Sequence, residues 1–473
     1  MTTLLNPSAV YAKRRAAIGR ALQAAGGGIA VLPTAPELPR NRDSDFPYRH
    51  DSYFYYLTGF SEPGAWLVIE ASGKTANSVK STLFCQPKDL EREIWDGIRL
   101  GPEAAPAELG VEAAFSVDTL DEKMPALLAN RNAVWFPFAT HKGLETQLDG
   151  WLTKVRARIR FGAECPQSQH DLCKLLDEMR LVKDSHEVAI LRRAGSISAG
   201  AHVRAMQASA AMLRNGVNDG LREYHLEAEL LHEFRRHGAQ FPAYTSIVAA
   251  GANACVLHYR AGNTELKAGQ LCLIDAGCEL DGYASDITRT FPADGKFTPA
   301  QRTLYDIVRA AQEAAIAVTR PGQRFTDPHD AATRVLIEGM LDTGLLQKAK
   351  HGSVDDVLES GAYRQFYMHR TGHWMGMDVH DCGDYTEPGS QSHEEKDALG
   401  QTVMRKPSRI LKPGMVLTIE PGIYVRPAKG VPKKFWDIGI RIEDDALVTA
   451  KGCELLTRGV PVKADEIEAL MRG

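Results

Sequence analysis

Apolar positions recur along this chain with two periods, and the places where the period changes mark its elements. The runs AWLVIE at 65–70 and AVWFPF at 133–138 have the short, continuous apolar character of strands. Residues 11–24 have the basic amphipathic pattern of a helix, and the aromatic-rich stretch YRHDSYFYYLTGF at 48–60 reads as a buried or interface strand. Near residue 178 the period lengthens. Asp184 is an N-cap with Glu187 three residues on, and Ile190, Ala194, Ile197 and Ala201 follow at helical spacing. A second amphipathic helix puts Leu221, Tyr224, Ala228 and Leu231 on one face and ends at Gly238, its three histidines (His225, His232, His237) falling on the surface. From Pro242 the chain turns strand-rich. An apolar run bounded by Gly269 and Gly277 reads as a buried strand ending in Asp275, and the corner Leu280-Asp281-Gly282 returns the chain through YASDITRTF, with Asp286 inside the return strand. A helix over 299–318 follows, broken near Gly322; the polar stretch 387–405 reads as a solvent loop, with two further strands beyond it.

These patterns predict an α/β N-terminal domain over 1–175, a support or lid without a ligand cluster, followed by an α+β domain over 176–473. A chain of 473 residues is too long for one ordinary core at about 150 residues per domain. Its 44% hydrophobic and 25% charged content is ordinary, and a formal charge of −4 offers no field suited to nucleic acid. Eight cysteines without CxxC pairs, and the lack of a leader or long apolar run, set aside a membrane role and lead to the expectation of a cytoplasmic enzyme. Cys272 and Cys278 flank Asp275, and packing beside a strand accounts for them better than thiolate metal binding.

Chemistry enters through an internal repeat. LKAGQLCLIDAG at 266–277 aligns without a gap to LKPGMVLTIEPG at 411–422, so Asp275 and Glu420 share one slot. Each copy is followed by a strand region with its own acid, Asp286 in ASDITRT and Glu443 in GIRIEDD. Four carboxylates in one pocket repel one another unless they are protonated or bind cations. Two divalent ions would cancel their charge, and His373 in HWMGMDVH adds a nitrogen ligand suited to Mn, Fe, Co or Zn. Two such ions about 3.5 Å apart hold a bridging water as hydroxide near neutral pH and polarise a carbonyl, which points to hydrolysis. His258, His369, His373 and His380 all sit in segments rich in Gly, Tyr or Trp beside the acidic strands; their spacing alone leaves open which binds metal.

Together, IDAGCELDGYASDITRTF, HRTGHWMGMDVHD, VLTIEPGIY and GIRIEDD resemble the catalytic domain of aminopeptidase P, the Xaa-Pro aminopeptidase of the pita-bread metallopeptidases, and YRHDSYFYYLTGFSEPGAW resembles that family's N-terminal domain. The resemblance implies a pita-bread domain with a pseudo-twofold repeat. It also implies a site of two divalent ions, usually Mn2+ with Zn2+ or Co2+ as alternatives, bridged by Asp286 and Glu443. Asp275 would complete one shell, His373 and Glu420 the other. Glu420 is then the general base, His258 and His380 steady the substrate carbonyl and tetrahedral intermediate, and His369, Tyr424 and Arg441 lie near the pocket for a penultimate proline. The implied reaction is attack of the bridging hydroxide on the Xaa-Pro bond of a peptide. A segment around Trp95 resembles one that reaches a neighbouring subunit, implying a homo-oligomer, dimer or tetramer. Two departures are Arg370, where many relatives have glycine, and the length of 387–405.

The same five ligands serve prolidase, which cuts Xaa-Pro dipeptides; the aromatic N-terminal segment favours the aminopeptidase. Methionine aminopeptidase usually lacks such a domain. A metal-free peptide-binding module, and creatinase-like hydrolysis without metal, are disfavoured because all five ligands are retained.

Overall fold

In the computed structural model, which describes residues 7–73, 79–216, 220–396 and 401–472, the chain divides into Met1–Met179 and Arg180–Gly473. The first unit is built on β1 (Gly28–Pro33), β2 (Trp66–Ala71), β3 (Val79–Cys85), β4 (Ala113–Ser116), β5 (Ala133–Phe136) and β6 (Ser168–Asp171). They form one mixed sheet in the order β4-β3-β2-β1-β5-β6, antiparallel across β1, β2 and β3 and parallel elsewhere. Ile29, Val31, Val68 and Val134 pack there against Leu120, Met124, Leu148 and Trp151.

Helix α1 (Pro7–Ala24) lies where the amphipathic pattern places it. The aromatic stretch at 48–60 does not form the expected strand: it contains α2 (Ser52–Thr58). Asp51 Oδ1 accepts the Phe54 amide at 2.8 Å, and Gly59, at φ +65°, closes the helix in the left-handed region. Two well-formed ends outweigh the strand preference of the aromatic side chains. Leu90, Ile94 and Trp95 of α3 (Leu90–Asp96), with Ile98 just beyond it, are all exposed.

In the second unit α4 (Ser185–Asn215) starts at the expected capping box, with Asp184 and Glu187 each accepting the other's amide. The next helix, α5 (Glu223–Arg236), buries a different face from the one expected: Leu226, Leu230 and Phe234 point inward while Tyr224 is exposed. The two stripes are neighbours on the helix, and the Leu-Leu-Phe stripe removes more apolar area from water. His232 and His237 are exposed; His225 is half-buried and accepts the Arg222 amide.

The repeat is visible as two antiparallel sheets. In one, β7 (Ile247–Ala250) and β9 (Thr288–Pro292) flank β8 (Leu271–Asp275), with Asp275 opposite Thr288. Helix α6 (Pro299–Val318) follows with Thr298 and Gln301 as its capping box. In the second sheet β12 (Val416–Ile419) pairs with β15 (Asp444–Val448), Ile419 opposite Asp444, and β15 continues to β16 (Cys453–Leu455); β13 (Gly422–Val425) and β14 (Ile438–Arg441) form a separate two-stranded ribbon. The glycine that follows each repeated acid is a packing requirement: a Cβ on Gly277 would stand 1.6 Å from the Ser285 carbonyl oxygen, and one on Gly422 2.8 Å from that of Ile440. Returning chain is thereby held against each acid.

The turn at Asp281 and Gly282 is where the sequence puts it, both residues having positive φ. Asp286, however, lies two residues before β9 rather than inside a return strand, because the chain pairs Cys278–Glu279 with Phe241–Pro242 before it rejoins β8. The stretch 387–405 also departs from a plain solvent loop. Its His393–Lys396 segment (β10) and Thr402–Arg405 segment (β11) pair as an antiparallel ribbon, and residues 397–400 lie outside the described residues. Among the described residues no helix is long and apolar enough to cross a membrane. None of the eight cysteines forms a disulfide; Cys272 and Cys278 are buried, and the Cys278 thiol donates to the Ala194 carbonyl.

Candidate metal centre

Five residues from the two sheets and the segment between them converge. Asp275 is the last residue of β8 and Asp286 leads into β9, while Glu420 immediately follows β12 and Glu443 immediately precedes β15. The halves are joined at Thr288, whose hydroxyl donates to Glu443 Oε2 at 2.6 Å and whose carbonyl accepts the Glu443 amide at 3.0 Å. His373 is set by its own amide on Thr418 Oγ1 and by the Thr418 amide on its carbonyl. One ligand atom each of Asp286, His373 and Glu443 lies within 4.8 Å of the other two.

The electrostatics of this cluster call for cations. The His373 Nδ1–H donates to the Trp374 carbonyl at 2.9 Å, so Nε2 turns a lone pair toward Asp286 Oδ2 at 3.5 Å and Glu420 Oε1 at 3.8 Å. An acceptor facing two acceptors needs a proton or a metal between them. The Tyr244 hydroxyl contacts both Asp275 Oδ1 and Asp286 Oδ1, yet a phenol has one proton and can donate to only one of them at a time. Without metal, protons fill the gap. Burial, followed by the field of Asp275, raises Asp286; burial, followed by Asp286 and Glu420, pushes Glu443 well above the carboxylate range. Burial is also the main cause that lifts Glu420 to about 7. Burial pulls His373 down, but the Asp286 hydrogen bond and the Glu420 charge outweigh it and carry the ring to about 9. Four oxygen donors and one imidazole, with charges that cannot coexist bare, fit divalent ions of the hard or borderline class.

These groups line a cavity of about 1010 Å³ together with His258, His369, His380 and Arg441. The His380 ring centroid is 4.1 Å from that of His373, and burial, then the His373 charge, lowers its pKa. Tyr424 is buried behind His369 and does not line the cavity. It is the middle of a directed chain: Arg441 Nη1 donates to the Tyr424 hydroxyl at 3.0 Å, that hydroxyl donates to His369 Nε2 at 2.8 Å, and His369 Nδ1–H donates to the Arg370 carbonyl at 2.7 Å. Burial, then the Arg441 charge, holds His369 near 3, so the ring is neutral. Arg441 also donates to Asp275 Oδ2 at 2.6 Å and Thr288 Oγ1 at 3.0 Å. His258 is presented by a loop pinned to Glu223, whose buried carboxylate accepts the Ala250, Gly262 and Thr264 amides, Asn253 Nδ2 and the Tyr259 hydroxyl.

Sequence reasoning did not single out Tyr244, Thr288 or Glu223. Thr288 stands two residues from Asp286 in ASDITRT, a spacing that could have marked it; Tyr244 and Glu223 carry no comparable signal, being far from the acids in sequence.

Two three-stranded sheets that repeat one motif and bring their acids to one carboxylate-rich cavity define a pita-bread metallopeptidase, and the chain belongs to metallopeptidase family M24, which matches residues 189–450. Residues 11–135 match the family described as aminopeptidase P, N-terminal domain. The chain is 42% identical over 461 residues to the Xaa-Pro aminopeptidase of Escherichia coli strain K12, covering 98% of this chain and 97% of that protein. Its structure resembles Pseudomonas aeruginosa aminopeptidase PepP with a TM-score of 0.89 and 44% identity over 99% of each chain. A glutamate-to-alanine variant of E. coli aminopeptidase P in complex with substrate matches with a TM-score of 0.89 and 41% identity over 98% of each chain.

Proposed function

We propose that the chain is a metal-dependent aminopeptidase that releases the first residue from peptides with proline in second position. The observation that carries this reading is the convergence of Asp275, Asp286, His373, Glu420 and Glu443 on a cavity of about 1010 Å³. That volume is at the upper end of the usual range for small-molecule sites and leaves room beyond a dipeptide, which favours the aminopeptidase over a prolidase. Asp286 and Glu443 would be shared by two ions, Asp275 held by one and His373 and Glu420 by the other. The donor set suits Mn2+, with Zn2+ or Co2+ as alternatives.

The ions, when bound, supply an activated water and a polarised scissile carbonyl. Glu420 takes the proton of that water and passes it to the proline nitrogen as the Xaa–Pro bond breaks. His258 and His380 donate to the carbonyl oxygen as it gains charge. His369, held neutral in one orientation by Tyr424 and Arg441, forms a wall of the proline pocket. A Xaa-Pro bond lacks the N–H that many peptidases grip, and no group in this arrangement requires one.

Eight cysteines, none in a disulfide, suit a reducing cytoplasm. The exposed Leu90, Ile94, Trp95 and Ile98 support a homo-oligomer, since a contiguous apolar patch of that kind usually marks an interface.

The test is cleavage by metal-stripped protein before and after Mn2+ is added, using an Xaa-Pro-Xaa tripeptide, its alanine-for-proline counterpart and an Xaa-Pro dipeptide. Metal-dependent release of the first residue from the proline tripeptide is expected. Cleavage of the dipeptide alone would make the enzyme a prolidase, and inertness with every metal would leave a peptide-binding module.

A further inference from the structure

The charges on the cavity wall are divided. Among the described residues its carboxylates are the four of the metal centre, which two divalent ions would neutralise. Besides Arg441, which is paired with Asp275, the wall carries Arg260, Arg370, Arg405 and Lys406. Arg405 is partly engaged, its Nε lying 3.7 Å from Glu395 across the ribbon. Arg260, Arg370 and Lys406 form no ion pair among the described residues, although the field of Arg370 reaches Asp330 and His329. These cations come from three separate parts of the chain: the loop that presents His258, the segment beside His369, and the end of β11 of the ribbon. Unpaired like charges gathered on one concave wall are unfavourable to the empty protein and focus a positive potential into the cleft. Met404 and Phe325 line the cavity beside them and supply apolar contact for a peptide backbone.

We propose that this wall is a subsite for a carboxylate carried by the peptide beyond its proline. The group is an acidic side chain in the third or fourth position or the C-terminal carboxylate of a short peptide. The inference rests on the aminopeptidase reading and narrows its substrates to acidic or short free-acid peptides. Guanidinium groups match a carboxylate in two parallel hydrogen bonds, and a lysine adds a point charge. A peptide whose scissile carbonyl lies at the metal centre would carry the residues after its proline into the remainder of the cavity, which these cations line.

The experiment measures kcat/KM of the Mn-loaded enzyme on Ala-Pro-Xaa-Ala peptides, with Xaa as Asp, Asn or Lys, each as free acid and as C-terminal amide. Aspartate is expected to exceed asparagine by about tenfold, the order expected for a charge-assisted hydrogen bond in a cleft, and lysine to fall below asparagine. High salt should compress the ranking. A preference for free acid over amide with no effect of Xaa would locate the favoured carboxylate at the C-terminus. The double variant Arg370→Glu with Lys406→Glu should invert the order to favour lysine, an outcome that general loss of folding cannot mimic. Equal rates for all six peptides would overturn the subsite while leaving the aminopeptidase reading intact. If no peptide is cleaved, that reading fails, and the ranking is taken from dissociation constants by calorimetry, where equal constants would overturn the subsite as well.

Discussion

Glu443→Gln is expected to abolish activity and, in the metal-free protein, to raise stability. Glu443 is 2% exposed and shares its surroundings with Asp286 and Glu420, so its charge is useful only when cations are present. With that ligand gone, metal content should fall and kcat/KM on a proline tripeptide should drop by about a thousandfold or more, equivalent to about 4 kcal/mol of barrier. Stripped of metal, the wild type must take up a proton at Glu443 to fold near neutral pH, a cost that the neutral amide avoids, and a gain of about 1–2 kcal/mol, seen as a few degrees in Tm, should follow. Thr288 can still donate to the amide oxygen, so local packing is retained.

The metal-free wild type should also show a particular pH dependence. Glu420 has a folded pKa near 7, above its unfolded value, and therefore binds more protons folded than unfolded between about pH 4.5 and 7. Stability falls as pH rises through that window. His373, raised to about 9, adds stability that is complete below about 6.5 and is lost as pH rises to 9. Both slopes run the same way, and saturating Mn2+ should reverse the trend, since ligands bind metal after giving up protons. Calorimetric Tm values across this range, with and without metal, provide the check. A Glu443→Gln protein that keeps two ions and normal turnover would refute the ligand assignment.

Arg441→Met should be the most costly single change to folding. The guanidinium is 4% exposed and supports Asp275, Thr288 and Tyr424 at once. Removing it leaves Asp275 without its buried counter-charge and Tyr424 without its donor, for which a loss of about 3–5 kcal/mol is expected in urea denaturation of the metal-free protein. Bound metal should reduce the loss by compensating Asp275. Arg441→Lys should recover only part, because an ammonium cannot reproduce three bonds set by a planar fork. A loss under about 1 kcal/mol would mean that the network contributes little.

The acids could be found from sequence because the repeat is gapless and its chemistry is conspicuous: apolar strand, acid, glycine. Asp275 and Glu420 therefore announced each other, and Gly277 and Gly422 prove to be required by the close approach of the returning chain. What sequence missed was either cooperative or long-range. The helix Ser52–Thr58 was hidden because Asp51 and Gly59 act through backbone geometry while the aromatic side chains argue for a strand. The buried face of Glu223–Arg236 depended on which of two adjacent stripes met the core. Tyr244 earns its place only once β8 and β9 bring Asp275 and Asp286 within reach of one hydroxyl. The ribbon strands His393–Lys396 and Thr402–Arg405 are short and, apart from Val403 and Met404, polar, so nothing in their pattern shows that one end faces a cavity.

The repeat has one further consequence. Its two copies contribute carboxylates in matched pairs, whereas His373 lies outside both aligned stretches, 266–277 and 411–422. Under the proposed ligand set, the two metal positions would differ by one neutral donor, the imidazole of His373. Occupancy should be stepwise, with one ion retained through dilution and the other exchanging with the medium, so that Mn2+ added to stripped protein gives a biphasic binding isotherm. Enzyme prepared without added metal would then be a half-filled population, and its specific activity would report the buffer as much as the protein.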